Sequence, residues 1–219
     1  MSLYLAWTSL CNDLDAHTNH LRQFCASRSI ASSADFSLQD EYFLEGILSR
    51  IWQAWCNFCR ICVIDSCVGT IDGNGTAVIA LPHATTQAHV SGAAIRAKGK
   101  GASPFWGAAN NILRHEPTWG DADILTKIIP RLQPSNQGQL MAALSHGHSA
   151  AKTLQLIRNA AAHDNVETRG ELQVLWSKYM IFPITHPTQC LYWKEPSTND
   201  YLVFYAVDEL RDAGMAAIS

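Results

Sequence analysis

The feature that most constrains the fold is a run of apolar residues at steps of three and four along the chain. The run comprises Leu44, Ile47, Leu48, Ile51, Trp52, Trp55, Cys59 and Cys62. This spacing places the side chains on one face of an amphipathic helix about five turns long. Ahead of it, Ser37 and Asp40 have the spacing of a capping box, with Asp where Glu or Gln is usual. We therefore predict a helix from Ser37 to Cys62 whose aromatic-rich face is buried.

Most of the remaining chain also favours helices. Further helices are predicted at Leu3 to Ser27, Ala88 to Ala97, Asp121 to Arg131, Gln137 to Leu144 and Asp200 to Ile218, and two more within Ser149 to Met180, separated by a turn at His163 to Asn165. Asp121, Ser149 and Asn165 are the expected N-caps. A glycine-rich stretch, Gly69 to Gly75, and a short strand, Thr76 to Leu81, interrupt the helices. The sequence thus predicts one mainly α domain over 1–219, with a loop-rich insertion at about 69–120 that has room for a short hairpin.

Composition favours an oligomer inside the cell. Of the 219 residues, 47% are apolar and only 16% are charged, against roughly 25% charged in an average globular protein. Such a surface is either unusually neutral or covered by a partner. The net charge of −3 gives no overall attraction to a polyanion, so any contact with nucleic acid is expected to be local. No signal peptide, membrane span or disulfide framework is recognisable, and we expect a cytoplasmic protein with reduced thiols and no membrane association.

The hexapeptide RNAAAH at positions 158–163 carries the clearest chemical signal. Its three alanines favour the helix and leave space around the polar residues. Asn159 and His163 are four residues apart on one helix face, so the amide can orient the imidazole. Arg158 lies about 140° around the axis from His163, so one helix alone does not aim both side chains at one atom. Two copies meeting across a two-fold axis, or local unwinding at His163, would bring them together.

These residue types suit the cleavage of RNA. Histidine exchanges protons near neutral pH, and arginine binds phosphoryl oxygens. Attack of a 2′-hydroxyl on the adjacent phosphate needs a base, an acid and stabilisation of the developing charge, with no obligatory metal or other cofactor. His163 is therefore the candidate general base or acid, Arg158 the group that stabilises charge, and Asn159 the residue that holds the imidazole. The expected products carry 2′,3′-cyclic phosphate and 5′-hydroxyl ends, and DNA is not a substrate because it lacks the hydroxyl.

The hexapeptide resembles the motif of the HEPN superfamily of small helical domains, which is Arg, a polar residue that is often Asn, three variable residues and His. The helix from Ser37 to Cys62, with Glu45, Trp52, Trp55 and Arg60, is similar to the long second helix of those domains, in which an acidic residue often faces the motif. Glu45 is therefore a further candidate catalytic or arginine-orienting residue.

The resemblance covers Leu3 to Cys67 and Gln137 to Met180, and leaves the insertion and the C-terminal tail unexplained. It implies a HEPN-like helical bundle and a metal-independent endoribonuclease that acts as a symmetric homodimer, with the two motifs in one composite cleft. Many relatives are prokaryotic toxins or antiviral defence effectors. The resemblance therefore also implies an antitoxin or a regulatory subunit as a partner.

A basic segment is the candidate RNA-binding surface. Between Gly73 and His115 there is no acidic residue. The basic residues there are Arg96, Lys98, Lys100 and Arg114, accompanied by His83, His89, Phe105 and Trp106. Positive charge suits the RNA backbone and aromatic rings suit unpaired bases, but a solvated surface loop explains the composition equally well.

Two further signals have simpler explanations. Cys56, Cys59, Cys62 and Cys67 begin like an iron–sulfur ligand run. The fourth spacing does not fit, and the residues lie on an amphipathic helix, so core packing is the favoured interpretation. His146 and His148 flank a glycine without a matched carboxylate or thiolate pair, so no metal site is predicted.

Two alternatives to a ribonuclease stay open. The first is a non-catalytic HEPN-like module that binds a nucleotide or a protein partner and uses Arg158 and His163 for contact or dimer packing. The second is a redox or iron–sulfur protein built on the four cysteines.

Overall fold

The computed structural model describes residues 2–99, 105–107, 113–145 and 150–219, and helices cover 70% of them. The α-helices are α1 (Leu3–Ser27), α2 (Leu38–Val68), α3 (Gln87–Lys98), α4 (Ala122–Leu132), α5 (Gln137–Leu144), α6 (Ala150–Ala162), α7 (Val166–Tyr179) and α8 (Leu202–Ile218). Short 3-10 helices lie at Ser33–Asp35, Leu113–His115 and Pro187–Tyr192, and β1 (Thr70–Ile71) pairs antiparallel with β2 (Ala77–Val78). The predicted mainly α class is therefore confirmed. None of the described helices is long and apolar enough to cross a membrane.

Helix α2 begins as the sequence predicts and ends later. The amide of Ser37 donates to Oδ2 of Asp40 at 2.9 Å, and the amide of Asp40 donates to Oγ of Ser37 at 3.3 Å, which confirms the capping box with Asp. The predicted end at Cys62 is wrong, because the helix continues to Val68. It stops at Gly69, whose φ of 97° is left-handed and whose added Cβ would lie 2.9 Å from that of Ala80.

The chain divides into two compact units, and three of the four boundaries fall inside α1, α2 and α8. Unit 1 comprises Met1–Cys11, Trp55–Gly147 and Arg211–Ser219, and unit 2 comprises Asn12–Ala54 and His148–Leu210. The prediction of one domain with an insertion at 69–120 stays a prediction. The predicted strand in the insertion shortens to β2, which pairs with β1.

In unit 1, buried polar residues near the end of α2 anchor the neighbouring elements. Oδ1 of Asp65 accepts from Nε2 of Gln87 in α3 at 2.8 Å, and Oγ of Ser66 accepts from Nδ2 of Asn136, the N-cap of α5, at 3.0 Å. Cys59, Cys62 and Cys67 are fully buried on the same part of α2, as the core-packing interpretation predicts, and Cys56 is half-buried. None of the seven cysteines, all of which lie in the described residues, forms a disulfide bond.

In unit 2, the proline-rich segment before α8 forms part of the core. Trp193 is fully buried, and its indole N–H donates to the carbonyl of Phe182 at 3.0 Å. Tyr192 packs edge-on against Phe36, with ring centroids 5.3 Å apart. The 3-10 helix Pro187–Tyr192 packs against α6. This segment therefore supports the helix that carries the RNAAAH hexapeptide.

Candidate functional site

The hexapeptide lies at the solvent-facing end of α6. Leu154, Ile157 and Ala160 are fully buried and form the core face of the helix. Arg158 and Asn159 lie outside that face and are half-buried, and His163 is exposed one residue beyond the end of the helix. The amide of His163 still donates to the carbonyl of Asn159 at 2.9 Å, so His163 completes the last turn. The alanines between them add no bulk at this end.

The side chains of the motif pair differently from the expectation. Nη1 of Arg158 donates to Oδ1 of Asn159 at 3.4 Å, a long hydrogen bond between adjacent residues. The Asn159 amide is therefore turned toward Arg158 rather than toward the imidazole. Within the part of the chain that the structure describes, the His163 ring makes no hydrogen bond, and its backbone carbonyl accepts from the Thr168 hydroxyl at 2.7 Å. The imidazole is thus accessible, and no described side chain of the same copy orients it.

The turn after the motif is held by a cap and an ion pair. The side chain of Asn165 accepts from the amides of Glu167 and Thr168, both at 3.0 Å, and caps α7 as predicted. Asp164 accepts from Nε of Arg169 and, at 2.8 Å, from Nη2. The hydrogen bonds from Arg169 keep the pKa of Asp164 below its ordinary value. These contacts fix the backbone immediately after His163.

Glu45 makes no hydrogen bond or ion pair with the residues that the structure describes, and it is half-buried on α2. The carboxylate one turn earlier is engaged instead. Glu41 accepts from Nε2 of the fully buried Gln189 at 2.8 Å. Because Gln189 belongs to the 3-10 helix that packs against α6, Glu41 is the acidic residue that ties α2 to the support of the motif. Sequence reasoning missed it because the two carboxylates are four residues apart on one helix face.

The candidate RNA-binding residues lie in unit 1, whereas the motif lies in unit 2. The Arg96 guanidinium donates to the carbonyls of Phe105 at 2.5 Å and of Gly107 at 3.2 Å, so it holds the chain after α3. Lys98 and Arg114 are exposed, and Lys100 lies outside the described residues. The segment therefore retains exposed positive charge, but Arg96 has a structural role as well.

Trp106 in the same segment contacts two histidines. Its ring centroid lies 5.7 Å from that of His89, with the rings edge-to-face, and 6.2 Å from that of His83. The three rings form a small half-exposed aromatic group next to α3 rather than separate stacking positions.

Metal ligands do not converge in the described ranges. No group of three or more His, Cys, Asp or Glu side chains there could hold a metal ion. His146 and His148 lie outside those ranges.

A pocket that the sequence analysis did not predict lies in unit 2 against α7, the helix that follows the motif. Its volume is about 430 Å³, and its walls come from α7 and from residues 184–187. The two walls come from separate parts of the chain, so the sequence does not show that they meet. The sequence signal that could have indicated the α7 wall is the cluster of polar and aromatic residues on one face of that helix.

Comparison with protein-family models, with curated proteins and with solved structures finds no match to this chain. The fold and the motif define the class only as a mainly α protein with an exposed histidine at a helix end, preceded by an arginine and an asparagine. Any statement about function therefore depends on the residues themselves.

Proposed function

We propose that this chain is a metal-independent endoribonuclease of the HEPN type that acts as a homodimer. The observation that supports it is the position of Arg158, Asn159 and His163 at the solvent-facing end of α6, with an exposed imidazole and no bulky side chain between them. A histidine and an arginine at one accessible helix end offer a proton acceptor and a phosphate ligand to the same substrate.

The proposed reaction is an internal transfer of the phosphoryl group. His163 of one copy takes the proton from a 2′-hydroxyl, and the 2′-oxygen attacks the adjacent phosphorus. The bond to the 5′-oxygen breaks, and the leaving oxygen receives a proton from an acid, for which His163 of the second copy is the candidate. Arg158 stabilises the negative charge on the phosphoryl oxygens. The products are a 2′,3′-cyclic phosphate and a 5′-hydroxyl.

A second copy fits the geometry of the motif. Arg158 and His163 are about 140° apart around the axis, so a single helix presents them to different directions. In one copy, Arg158 also donates to Asn159, and the imidazole has no orienting group among the residues that the structure describes. Two motifs facing each other would place an arginine of one copy near a histidine of the other.

Uncontrolled RNA cleavage would arrest a cell, so a role as a toxin or antiviral effector, restrained by an antitoxin or regulatory subunit, belongs to the same proposal.

The test is cleavage of labelled total RNA by the wild type and by His163→Ala in excess EDTA, with the product ends identified. We expect cyclic-phosphate ends from the wild type and a rate lower by about 10²-fold or more for the variant, because the proton transfer is lost. His20→Ala, which removes an exposed histidine of α1, is the matched control and should cut like the wild type. Equal cutting by His163→Ala and the wild type, or cutting that stops in EDTA, contradicts the proposal.

The alternative is a non-catalytic module that binds a nucleotide or a protein partner. The hydrogen bond from Arg158 to Asn159 favours it, because the Asn159 amide is then not used to orient the His163 ring. Under this alternative neither protein cuts RNA, and His163→Ala changes only the affinity for the partner.

A further inference from the structure

The pocket against α7 has the size and the composition of a site for a small polar and aromatic ligand. One wall is a face of α7 with Val166, Arg169, Gln173 and Trp176, and the other includes His186. Its volume of about 430 Å³ lies within the roughly 300–1,000 Å³ typical of ligand sites. Apolar side chains with a few convergent polar groups are the usual lining of such sites.

An aromatic ring that lines the pocket is partly open to solvent. Trp176 is 43% exposed and Val166 is 91% exposed, although both are apolar and lie against a concavity. The core face of α7 is formed by other residues, Leu172 and Leu175, so the fold of unit 2 does not require Trp176 to be buried. An indole ring at the edge of a pocket provides a surface on which another planar ring can stack.

The polar groups of the pocket are donors that suit a phosphate. Arg169 uses two of its five N–H groups on Asp164, and this exposed pair holds the guanidinium only weakly. Nδ1 of His186 lies 2.8 Å from the hydroxyl and 3.4 Å from the amide of Thr188, and the neutral tautomer that accepts the amide at Nδ1 carries its proton on Nε2, where it can donate. Among the contacts of the described residues, the carboxylate next to these donors is that of Asp164, which already pairs with Arg169.

The spacing along α7 matches a nucleotide. Arg169 and Trp176 are seven residues apart on one helix face, which is about 10 Å along the axis. Gln173 lies between them, and its amide can both donate and accept. A single nucleotide spans a similar length from the far edge of its base to its phosphate.

We propose that this pocket binds one nucleotide unit, with its base stacked on Trp176, its base edge at Gln173 and its phosphate at Arg169 and His186. The inference rests on the proposed function for the source of the ligand, which is an unpaired nucleotide of the RNA strand near the cleaved bond. Two contacts connect α7 to the end of the motif and the turn after it: Thr168, next to Arg169, donates to the carbonyl of His163, and Arg169, which lines the pocket, pairs with Asp164. The pocket would thus select which bond of a single strand reaches His163.

The test uses the full chain with His163→Ala as the parent, so that bound RNA stays intact. The probes are a short fluorescein-labelled single-stranded RNA of mixed sequence, followed by polarisation, and the four ribonucleoside monophosphates as competitors. Trp176→Ala should weaken RNA binding about 5-fold or more, because a stacked base is lost, and Trp176→Phe should restore part of it. Arg169→Ala should reduce the slope of log affinity against log salt by about 0.7, the value for one phosphate contact on a single strand.

Matched controls separate these effects from general ones. Tyr42→Ala removes an exposed aromatic ring of unit 2 outside the pocket, and Lys178→Ala removes an exposed charge of α7 outside it. Both should leave affinity and salt slope unchanged. Competition by monophosphates that Trp176→Ala abolishes would support the pocket, because it would show that one nucleotide unit occupies the same site as the RNA.

Three results would overturn the inference. The first is that the parent binds neither probe, and the second is that Trp176→Ala and Arg169→Ala bind like their controls. The third is that Trp176→Ala lowers the sedimentation mass with unchanged RNA affinity, which would make the pocket a contact between copies. Failure of the nuclease is distinguishable, since RNA binding that depends on Trp176 without cleavage by the wild type would remove the nuclease and keep the pocket.

Discussion

At the scale of single residues, Glu116 shows how one carboxylate can organise unit 1. Arg60 donates to both of its oxygens, at 2.7 and 2.9 Å, and the indole N–H of Trp119 donates at 2.9 Å. The hydroxyl of the buried Ser91 in α3 donates to it as well. Burial alone would raise the pKa of Glu116, but these hydrogen bonds outweigh it and lower the pKa to about 2.

This network predicts a particular pH dependence. A carboxyl whose pKa falls from 4.5 to about 2 on folding stabilises the protein above pH 4.5 by at most about 3 kcal/mol, and this contribution is lost as the pH falls toward 2. Glu116→Gln should therefore lower the free energy of unfolding by about 2 kcal/mol at pH 7, and the gap to the wild type should narrow between pH 4.5 and 2. Urea unfolding across this range measures it.

Glu171→Gln is the control for this experiment, because Glu171 is exposed on α7. It should change the free energy of unfolding little at any pH. A gap between Glu116→Gln and the wild type that stays constant down to pH 2 would show that the carboxylate charge does not carry the stabilisation.

At the scale of elements, the turn that carries His163 depends on the cap of α7. Asn165→Ala removes the acceptor for the amides of Glu167 and Thr168 and should destabilise the protein by about 1 kcal/mol. If the turn also positions His163, the rate of RNA cleavage should fall by a larger factor than the fraction of folded protein does. Asn57→Ala, at an exposed position inside α2, is the matched control and should be neutral or slightly stabilising. Equal effects of the two substitutions in thermal unfolding would contradict the role of the cap.

Helix positions could be predicted wherever the chain has one apolar face and a clear start. The predicted α1 and α5 have the observed bounds, and Asp121 and Asn165 cap α4 and α7 as expected. The end of α2 was missed because residues 62–67 are all buried. A helix that is buried on every side has no apolar stripe, so its periodicity ends before the helix does.

The site was only partly predictable because spacing does not fix the direction of a side chain. The sequence predicted that Arg158, Asn159 and His163 share a helix end, but not that the Asn159 amide turns toward Arg158. It also offered no means to choose Glu41 over Glu45. The pocket depends on residues 184–187 lying against α7, a contact between segments that no local pattern encodes.

For the protein as a whole, the proposed composite cleft makes RNA cleavage depend on the formation of the homodimer. With only 16% charged residues, the chain has little charge to oppose association. If both motifs are needed, the rate per chain should fall on dilution in proportion to the fraction of dimer, and sedimentation velocity should give that fraction independently. A monomeric mass at concentrations where the rate per chain is still maximal would contradict the composite cleft.

Mixing experiments distinguish a composite cleft from two independent sites in one dimer. His163 is exposed and contributes nothing to the core of one copy, so His163→Ala should fold normally, and sedimentation velocity checks that it associates like the wild type. When an excess of this variant is added, most wild-type chains enter mixed dimers. RNA is kept in excess, so that binding of RNA by the variant does not lower the rate. If each cleft needs a histidine from both copies, cleavage per wild-type chain should fall toward zero as the ratio rises. If each motif works alone, the rate per wild-type chain should stay constant, so the dependence on the mixing ratio decides how many copies of His163 one cleavage event requires.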